Sequence, residues 1–405
     1  MSFKRWYVVG LGAAINLFVF AMATACMPVL FSEIAADLNL TILQIGTVWG
    51  LGSVAGIFSI LTAGLLADRF GAKRVLTIAC LLAGVFGALR GISDSFFSLT
   101  LTSLLFGLAA EAIPVIVIKN ASQWFQDKGL GTAQGIITAC VGGGLMLGSM
   151  LSATVLSPRL GGWQGVMFFY GAVSVLAAIV WFFTVPEPPR TESSPFTAFL
   201  TPRRALSHVL RSRGVWFIAI AMMGFAGGNK GLMGYLPVYL RDNNWTPASA
   251  DGALAALNAA GTIAAIPLTL ASDKLGSRKA VLLPGVLVTV IAVGFLSVVT
   301  GPPVWLLAVL SGVFRDMIWA VAATMTVETE GIGAAYAGTS VGIVHAFTRV
   351  GYTFAPPAGN AFVSIQAGLP FVFWAGLSLL ALIAFLFVRE TGRGRPRSPA
   401  GVSIK

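Results

Sequence analysis

The sequence predicts an all-α integral membrane protein, with twelve transmembrane helices in two six-helix bundles and both termini in the cytoplasm. Three observations carry that reading. Of the 405 residues 57% are hydrophobic and only 10% charged, and the mean hydropathy is +0.86, more apolar side chain than a soluble core of this length requires. Apolar runs of about 20 residues, each long enough to cross a roughly 30 Å hydrocarbon layer as a helix, recur along the whole chain. A charged turn at Gly64–Arg74 returns in altered form at 271–279, as expected of a duplicated unit. Barrel strands would alternate polar and apolar residues, which these continuous runs do not.

The runs lie at about 6–31, 44–66, 75–93, 96–120, 132–155, 162–185, 214–240, 248–270, 280–300, 302–327, 335–361 and 366–388. The first follows Lys4-Arg5 and resembles a secretory signal, but its roughly 25 apolar residues exceed a signal core of about 7–15, so it is read as a retained span. Cys26, Cys80 and Cys140 fall within spans without Cys-x-x-Cys spacing and are read as small core residues. The second run leads into the charged turn, and the fourth holds Glu111, with Lys119 read as reaching back toward the cytoplasm. Glycines in the fifth run, Gly142 to Gly148, suit close helix packing.

Prolines 186, 188, 189, 195 and 202 mark the longest polar interruption, which divides six spans from six. The expected organisation is a bundle at 1–185, a cytoplasmic loop at 186–213, a second bundle at 214–388 and a basic tail at 389–405. The seventh span contains Gly227-Gly228-Asn229-Lys230, the tenth Arg315-Asp316, and the eleventh His345 and Arg349 ahead of a Pro356-Pro357 bend. Basic residues gather in the segments this topology leaves inside, and only Arg90, Arg159 and Arg241 fall at outer ends. The net charge of +11 is therefore a topology signal rather than a nucleic-acid footprint, and no loop is large enough to fold as a nucleic-acid-binding domain.

Gly64-x-Leu66-Ala67-Asp68-Arg69-Phe70-Gly71-x-Lys73-Arg74 resembles the loop 2–3 signature of the major facilitator superfamily. The second copy keeps Asp273, Lys274, Gly276, Arg278 and Lys279, with Thr269 in place of the leading glycine. The resemblance covers nearly the whole chain and implies a gate, in which such loops latch the two halves on the cytoplasmic side. Independently of it, Gly71 permits a turn at positive φ, and Asp68 at a helix end can accept from backbone N–H groups. Span four, Phe106-Gly-Leu-Ala-Ala-Glu111, followed by Lys119 and Trp124-Phe125, is similar to the anion–cation symporter branch, although Leu104 stands where that branch carries an Arg.

Function is read from ionisable groups at bilayer depth, which persist mainly where they line a cavity or pathway. Flanking hydrophilic residues put Glu111, Lys230 and Arg349 near the centres of their spans, Arg315 and Asp316 near the middle of theirs, and His345 one turn before Arg349. Arg315 and Asp316 project about 100° apart and are expected to pair with other helices rather than with each other. The central set is net cationic, which points to a mobile anion. Lys230 and Arg349 are the expected ligands, with Arg315, His345 and Asn229 beside them, and Glu111, Asp316 or His345 carry a coupling proton.

The expected activity is alternating-access transport of a small organic anion, a carboxylate, with proton symport across a bacterial cytoplasmic membrane. Exchange or uniport, including of nitrate, nitrite or cyanate, and a non-transporting sensor are the alternatives. Neither a His-Glu-x-x-His nor a Walker loop is present, and there are only two histidines, so no enzyme, metal or cofactor is expected. The expected partners are the anion, protons and lipid, with the monomer as the functional unit.

Overall fold

A computed structural model describes residues 2–125, 129–186 and 202–392, apart from the side chains at 2, 3, 60, 61, 68, 202–204 and 333–335. The fold is helical throughout these residues. Large apolar side chains point outward, as at Phe97, Phe183 and Ile263, which are 74%, 78% and 76% exposed. A soluble protein avoids contiguous surfaces of this kind, whereas a lipid-facing one requires them.

Ten helical segments among the described residues are long and apolar enough to span a bilayer, from Lys4–Leu38 to Leu369–Phe387. The other two expected spans differ from them in a physical way. Lys279–Phe295 is apolar but has only 17 residues, and Gly333–Asn360 has 28 residues but carries His345 and Arg349 in its interior. The first segment runs past the expected end at 31, because nothing stops it before Asn39, whose left-handed backbone (φ 53°) terminates the helix. The next helix then starts on a capping box, in which Thr41 Oγ1 accepts from Gln44 N and Gln44 Oε1 accepts from Thr41 N.

Several spans are broken near their middles, and the breaks fall beside polar residues. The second changes from Ile42–Leu51 to Ala55–Phe70 across Gly52 and Ser53, and the fourth from Phe96–Ala110 to Ala112–Trp124 at Glu111. The tenth changes from Pro303–Val313 to Arg315–Glu328 at Phe314. Spans two and four touch backbone to backbone here, because a Cβ on Gly107 would collide with the Gly52 carbonyl oxygen. The first span winds as a π-helix over Asn16–Met22, a widened turn often found at functional positions.

Residues before and after the 186–213 stretch meet chiefly along three pairs of helices: Ile42–Leu51 on Gly333–Asn360, Leu130–Leu151 on Pro247–Leu275, and Ala23–Leu38 on Arg213–Asp242. Hydrogen bonds tie these faces together. Asn360 Nδ2 donates to Ile42 O at 3.0 Å, Asn258 Nδ2 to Ser149 Oγ at 3.2 Å, and Arg241 Nη1 to Val29 O at 2.5 Å. Arg241 also pairs with the fully buried Asp251, so a residue read as an outer-end topology signal is part of an interface.

The two charged turns are each fixed by their own part of the chain. Gly71 has φ 88° and Gly276 φ 65°, so both turns use the left-handed freedom of glycine. Lys119 Nζ donates to Gly64 O at 2.6 Å, where the first charged turn begins, and so ties span four to the end of span two. Lys73 lies 5.3 Å over the Phe182 ring and Arg69 5.3 Å over Phe70. The side chains of Asp68, Arg203 and Arg204, and the whole of Lys128, Arg190 and the tail from 393 onward, lie outside what is described. In the second turn, Arg278 pairs with Asp273 and with Glu328, the latter at 2.9 Å. Glu390 accepts from Ser277 Oγ at 2.5 Å and from the backbone N of Arg278, Lys279 and Gly392.

Candidate functional site

The helix breaks bring the central charges of the two parts together. Glu111 is the residue between the helices Phe96–Ala110 and Ala112–Trp124, and its side chain makes no cap hydrogen bond to the second. From the other side Arg349 grips the Glu111 carboxylate with both prongs: Nη1 to Oε1 at 2.6 Å and Nη2 to Oε2 at 2.7 Å. The two side chains are only 12% and 16% exposed. Gly56 makes room for this fork, since a Cβ there would stand 3.0 Å from Arg349 Cζ. A planar guanidinium and a carboxylate in register form the strongest ordinary side-chain pair.

Lys230 is arranged differently. Its Nζ lies 3.2 Å from the centre of the Trp49 ring and 5.6 Å from that of Tyr352, while Trp49 Nε1 donates to the Lys230 carbonyl at 2.9 Å. A cation on an aromatic face is held electrostatically but is not neutralised. Among the described residues no carboxylate pairs with it. Arg349 Cζ lies 5.5 Å from Tyr352, so Tyr352 borders both cations.

Arg315 and Asp316 overturn one expectation. They pair with each other, Nε to Oδ1 at 2.8 Å and Nη2 to Oδ2 at 3.2 Å, rather than reaching separately to other helices. The Arg315 side chain is long enough to fold back over the carboxylate of its neighbour Asp316. Its remaining prong donates to Asn258 Oδ1 at 2.7 Å, so the pair also braces helix Pro247–Leu275. His345 stacks on Trp319 with ring centres 5.9 Å apart, within electrostatic range of Arg349 and Glu111. Asn229 is buried with its Nδ2 unpartnered.

A cavity opens beside this constellation. Glu111, Lys230, Ser53, Ser103 and Thr24 supply its polar lining, and Phe20, Met27, Trp49 and Phe106 its apolar wall. Arg90 lines it too, which sequence reasoning missed: it is 1% exposed, not at an outer surface. Its place four residues before Asp94, inside an apolar run, was the available signal. Trp49 and Tyr352 were missed as well; Tyr352 stands three residues after Arg349, on the same helical face.

Known proteins resemble the chain over most of its length. The sequence profile of the Major Facilitator Superfamily matches residues 13–266 and 227–403. The 3-(3-hydroxy-phenyl)propionate transporter of Escherichia coli is 24% identical over 366 residues, 87% of each chain. A probable nitrate/nitrite antiporter of Thermus thermophilus is 27% identical over 225 residues, 53% of this chain and 49% of that one. Among solved structures, a bacterial homologue of the human lysosomal transporter Spinster, inward-facing and occupied, superposes with a TM-score of 0.75 at 16% identity, over 95% of this chain and 94% of its own. The nucleoside transporter NupG, as its D323A mutant, does so with a TM-score of 0.75 at 15% identity, over 94% and 99%. All are named as transporters, in line with the expectation of transport rather than catalysis.

Proposed function

This chain belongs to the Major Facilitator Superfamily, and we propose that it moves a small organic anion, a carboxylate, across a bacterial cytoplasmic membrane by alternating access with proton symport. Twelve spans in two six-helix halves with both termini inside complete the proposal, with Lys279–Phe295 and Gly333–Asn360 as the ninth and eleventh. The observation that carries it is the two-pronged Glu111–Arg349 pair between the halves, beside a cavity that also holds the unneutralised Lys230. The named anion transporters among the relatives support the charge of the solute.

The residues take complementary roles. A carboxylate solute entering the cavity meets Lys230 first and competes with Glu111 for the Arg349 fork. Glu111 lets go most readily when a proton cancels its charge, so anion and proton load together. His345 is the second proton carrier near this pair, and Asp316 acts through Arg315 as a brace with a coupling role. Arg315 and Asn229 are assigned to the solute from the side of the second half. Gly64, Asp68, Arg69, Gly71, Lys73 and Arg74, with Asp273, Gly276 and Arg278, form the cytoplasmic gate. The contacts from Arg241 to Val29 and from Asn360 to Ile42 close the opposite, outer end.

Counterflow into proteoliposomes, over mono- and dicarboxylates, sugar acids and inorganic oxyanions, identifies the solute. An imposed inside-alkaline pH gradient should then drive its accumulation, whereas exchange would give trans-stimulated flux without proton movement. Lys230→Gln and Arg349→Ala should each reduce uptake by about tenfold or more, the scale of one lost charge-assisted contact. Unchanged uptake in both variants would remove the proposed site.

A further inference from the structure

A second cavity, of about 700 Å³, lies where the start of helix Arg213–Asp242, the end of Leu369–Phe387 and the turn at 329–331 come together. That volume is in the range of sites that enclose a small molecule, and the mechanism above leaves it unused. Its wall is held in place by its own contacts. Between helices Pro202–Val209 and Arg213–Asp242 the chain turns, with Arg211 N donating to His208 O at 3.2 Å and Ser212 N to Val209 O at 3.0 Å. The His208 ring stacks on Tyr336 with centres 4.2 Å apart, and its Nε2 lies 2.8 Å from Gly331 O.

The charge of the lining is unbalanced. Arg211, Arg213 and Arg389 face it, and Glu330 is the one acid among its described lining residues. Arg389 pairs with Glu330 at 3.2 Å, but both side chains are mostly exposed, and such surface pairs contribute little. Among the described residues no carboxylate pairs with Arg211 or Arg213. The sequence at 393–405 adds three arginines, a lysine and no acidic side chain, so the chain's own tail is a poor occupant and an anion a good one. Another part of the lining is apolar. Phe217 and Phe387 stack with ring centres 5.5 Å apart, and Phe387, at the end of its span, is 66% exposed. Two unneutralised arginines and a lipid-facing aromatic pair in one cavity match the two chemistries of a phospholipid at the membrane surface.

We propose that this cavity binds an anionic phospholipid, with its phosphate on the Arg211 and Arg213 guanidinium groups and its glycerol and first acyl carbons against Phe217 and Phe387. A guanidinium fork meets two phosphate oxygens at once. A zwitterionic headgroup would bring its own cation among the arginines, and a soluble phosphate ester would leave the aromatic pair uncovered. The inference goes beyond the transport reading and rests on it only for the leaflet, the cytoplasmic one.

Thermal unfolding of the purified full chain in dodecyl maltoside tests the site, with three probes: dioctanoylphosphatidylglycerol, dioctanoylphosphatidylcholine and glycerol 3-phosphate. The first should raise the unfolding temperature and saturate. Each of the others should need at least about tenfold higher concentration for the same rise, the scale of one lost contact. Arg211→Gln and Arg213→Gln together should weaken the phosphatidylglycerol response by about tenfold or more, as expected for two basic contacts to an anionic lipid, and leave lipid-free unfolding unchanged. Phe387→Ser should weaken that response and leave the response to glycerol 3-phosphate as it was. An equal response to phosphatidylcholine, a wild-type response in the double variant, or loss of its lipid-free stability overturns the proposal. A response to glycerol 3-phosphate as strong as that to phosphatidylglycerol also overturns it and assigns the phosphate to a soluble ester. Counterflow keeps the two readings apart: lipid binding without flux removes transport and keeps the site, and flux without lipid binding does the reverse.

Discussion

Glu111→Gln separates a coupling residue from a structural one. In the wild type two charge-assisted bonds of 2.6 and 2.7 Å hold Arg349 to Glu111. Unit charges about 4 Å apart attract by about 4 kcal/mol at an effective dielectric constant near 20. A neutral amide keeps one acceptor oxygen, a hydrogen bond of about 1 kcal/mol. The substitution therefore loosens the hold on Arg349 by about 3 kcal/mol, or about two orders of magnitude in an equilibrium constant.

Two consequences follow from that number. Without solute, the variant carries an uncompensated cation at a position only 12% exposed, so its thermal stability should fall. With the transported anion present, Arg349 is already free to bind, so affinity should rise by about tenfold to a hundredfold and stability should recover. Thermal unfolding in detergent, with and without the anion that counterflow identifies, measures both. In proteoliposomes counterflow should persist while accumulation driven by a pH gradient disappears, because the residue that takes the proton is gone. A variant that still accumulates anion on a pH gradient, or that shows neither tighter binding nor rescue, would refute the assignment of Glu111.

Other parts of the molecule give independent tests. Gly107→Ala forces a methyl group against the Gly52 carbonyl, so spans two and four must separate; a loss of about 1–3 kcal/mol in stability is expected, read as a lower unfolding temperature in detergent. At the second charged turn, partial burial opposes ionisation of Glu390, but the Ser277 hydroxyl and the backbone N–H groups of Gly392, Arg278 and Lys279 outweigh it and hold the carboxyl at about 2. A lowered folded-state value means that this stabilisation is present above the ordinary carboxylate range and is lost as pH falls from about 4.5 toward about 2. Protease sensitivity near residues 277–279 and 390–392 should therefore rise across that window in the wild type, with Glu390→Gln sensitive at every pH. On the proposed mechanism one monovalent anion enters with one proton, so valinomycin-clamped potentials should leave uptake of a monocarboxylate unchanged.

The helical membrane fold was legible because lipid imposes a length and a composition that few residues violate. Two of the expected spans lack the length or composition of the other ten: Gly333–Asn360 holds two ionisable residues, and Lys279–Phe295 has only 17 residues. Glu111, Lys230 and Arg349 could be found from depth alone, since a charge in mid-span is rare whatever it touches. Pairing was less accessible, because it depends on side-chain reach. Angular projection on a regular helix separates Arg315 from Asp316, yet the long guanidinium side chain folds back onto its neighbour's carboxylate. Arg90 was missed for a related reason: its position near a span end suggests a water-facing residue, and only the packing of Phe106 and Ala23 around it reveals its burial.

A division of labour in which one half holds the anion and the other senses the proton does not fit the site's connectivity. Among the described residues, Glu111–Arg349 is the one ion pair that joins the chain before the 186–213 stretch to the chain after it. Other hydrogen bonds across this interface, from Arg241 to the Val29 carbonyl, from Asn258 to the Ser149 hydroxyl, from Asn360 to the Ile42 carbonyl and from Trp49 to the Lys230 carbonyl, involve uncharged acceptors, and Lys230 meets the Trp49 ring rather than a carboxylate. A carboxylate arriving in the cavity, or a proton arriving on Glu111, therefore alters the attraction between the halves chiefly through this pair. On the proposed mechanism, solute binding and interface opening are the same event at Arg349: the fork has two donors aligned for one carboxylate plane, so it serves Glu111 or the solute but not both.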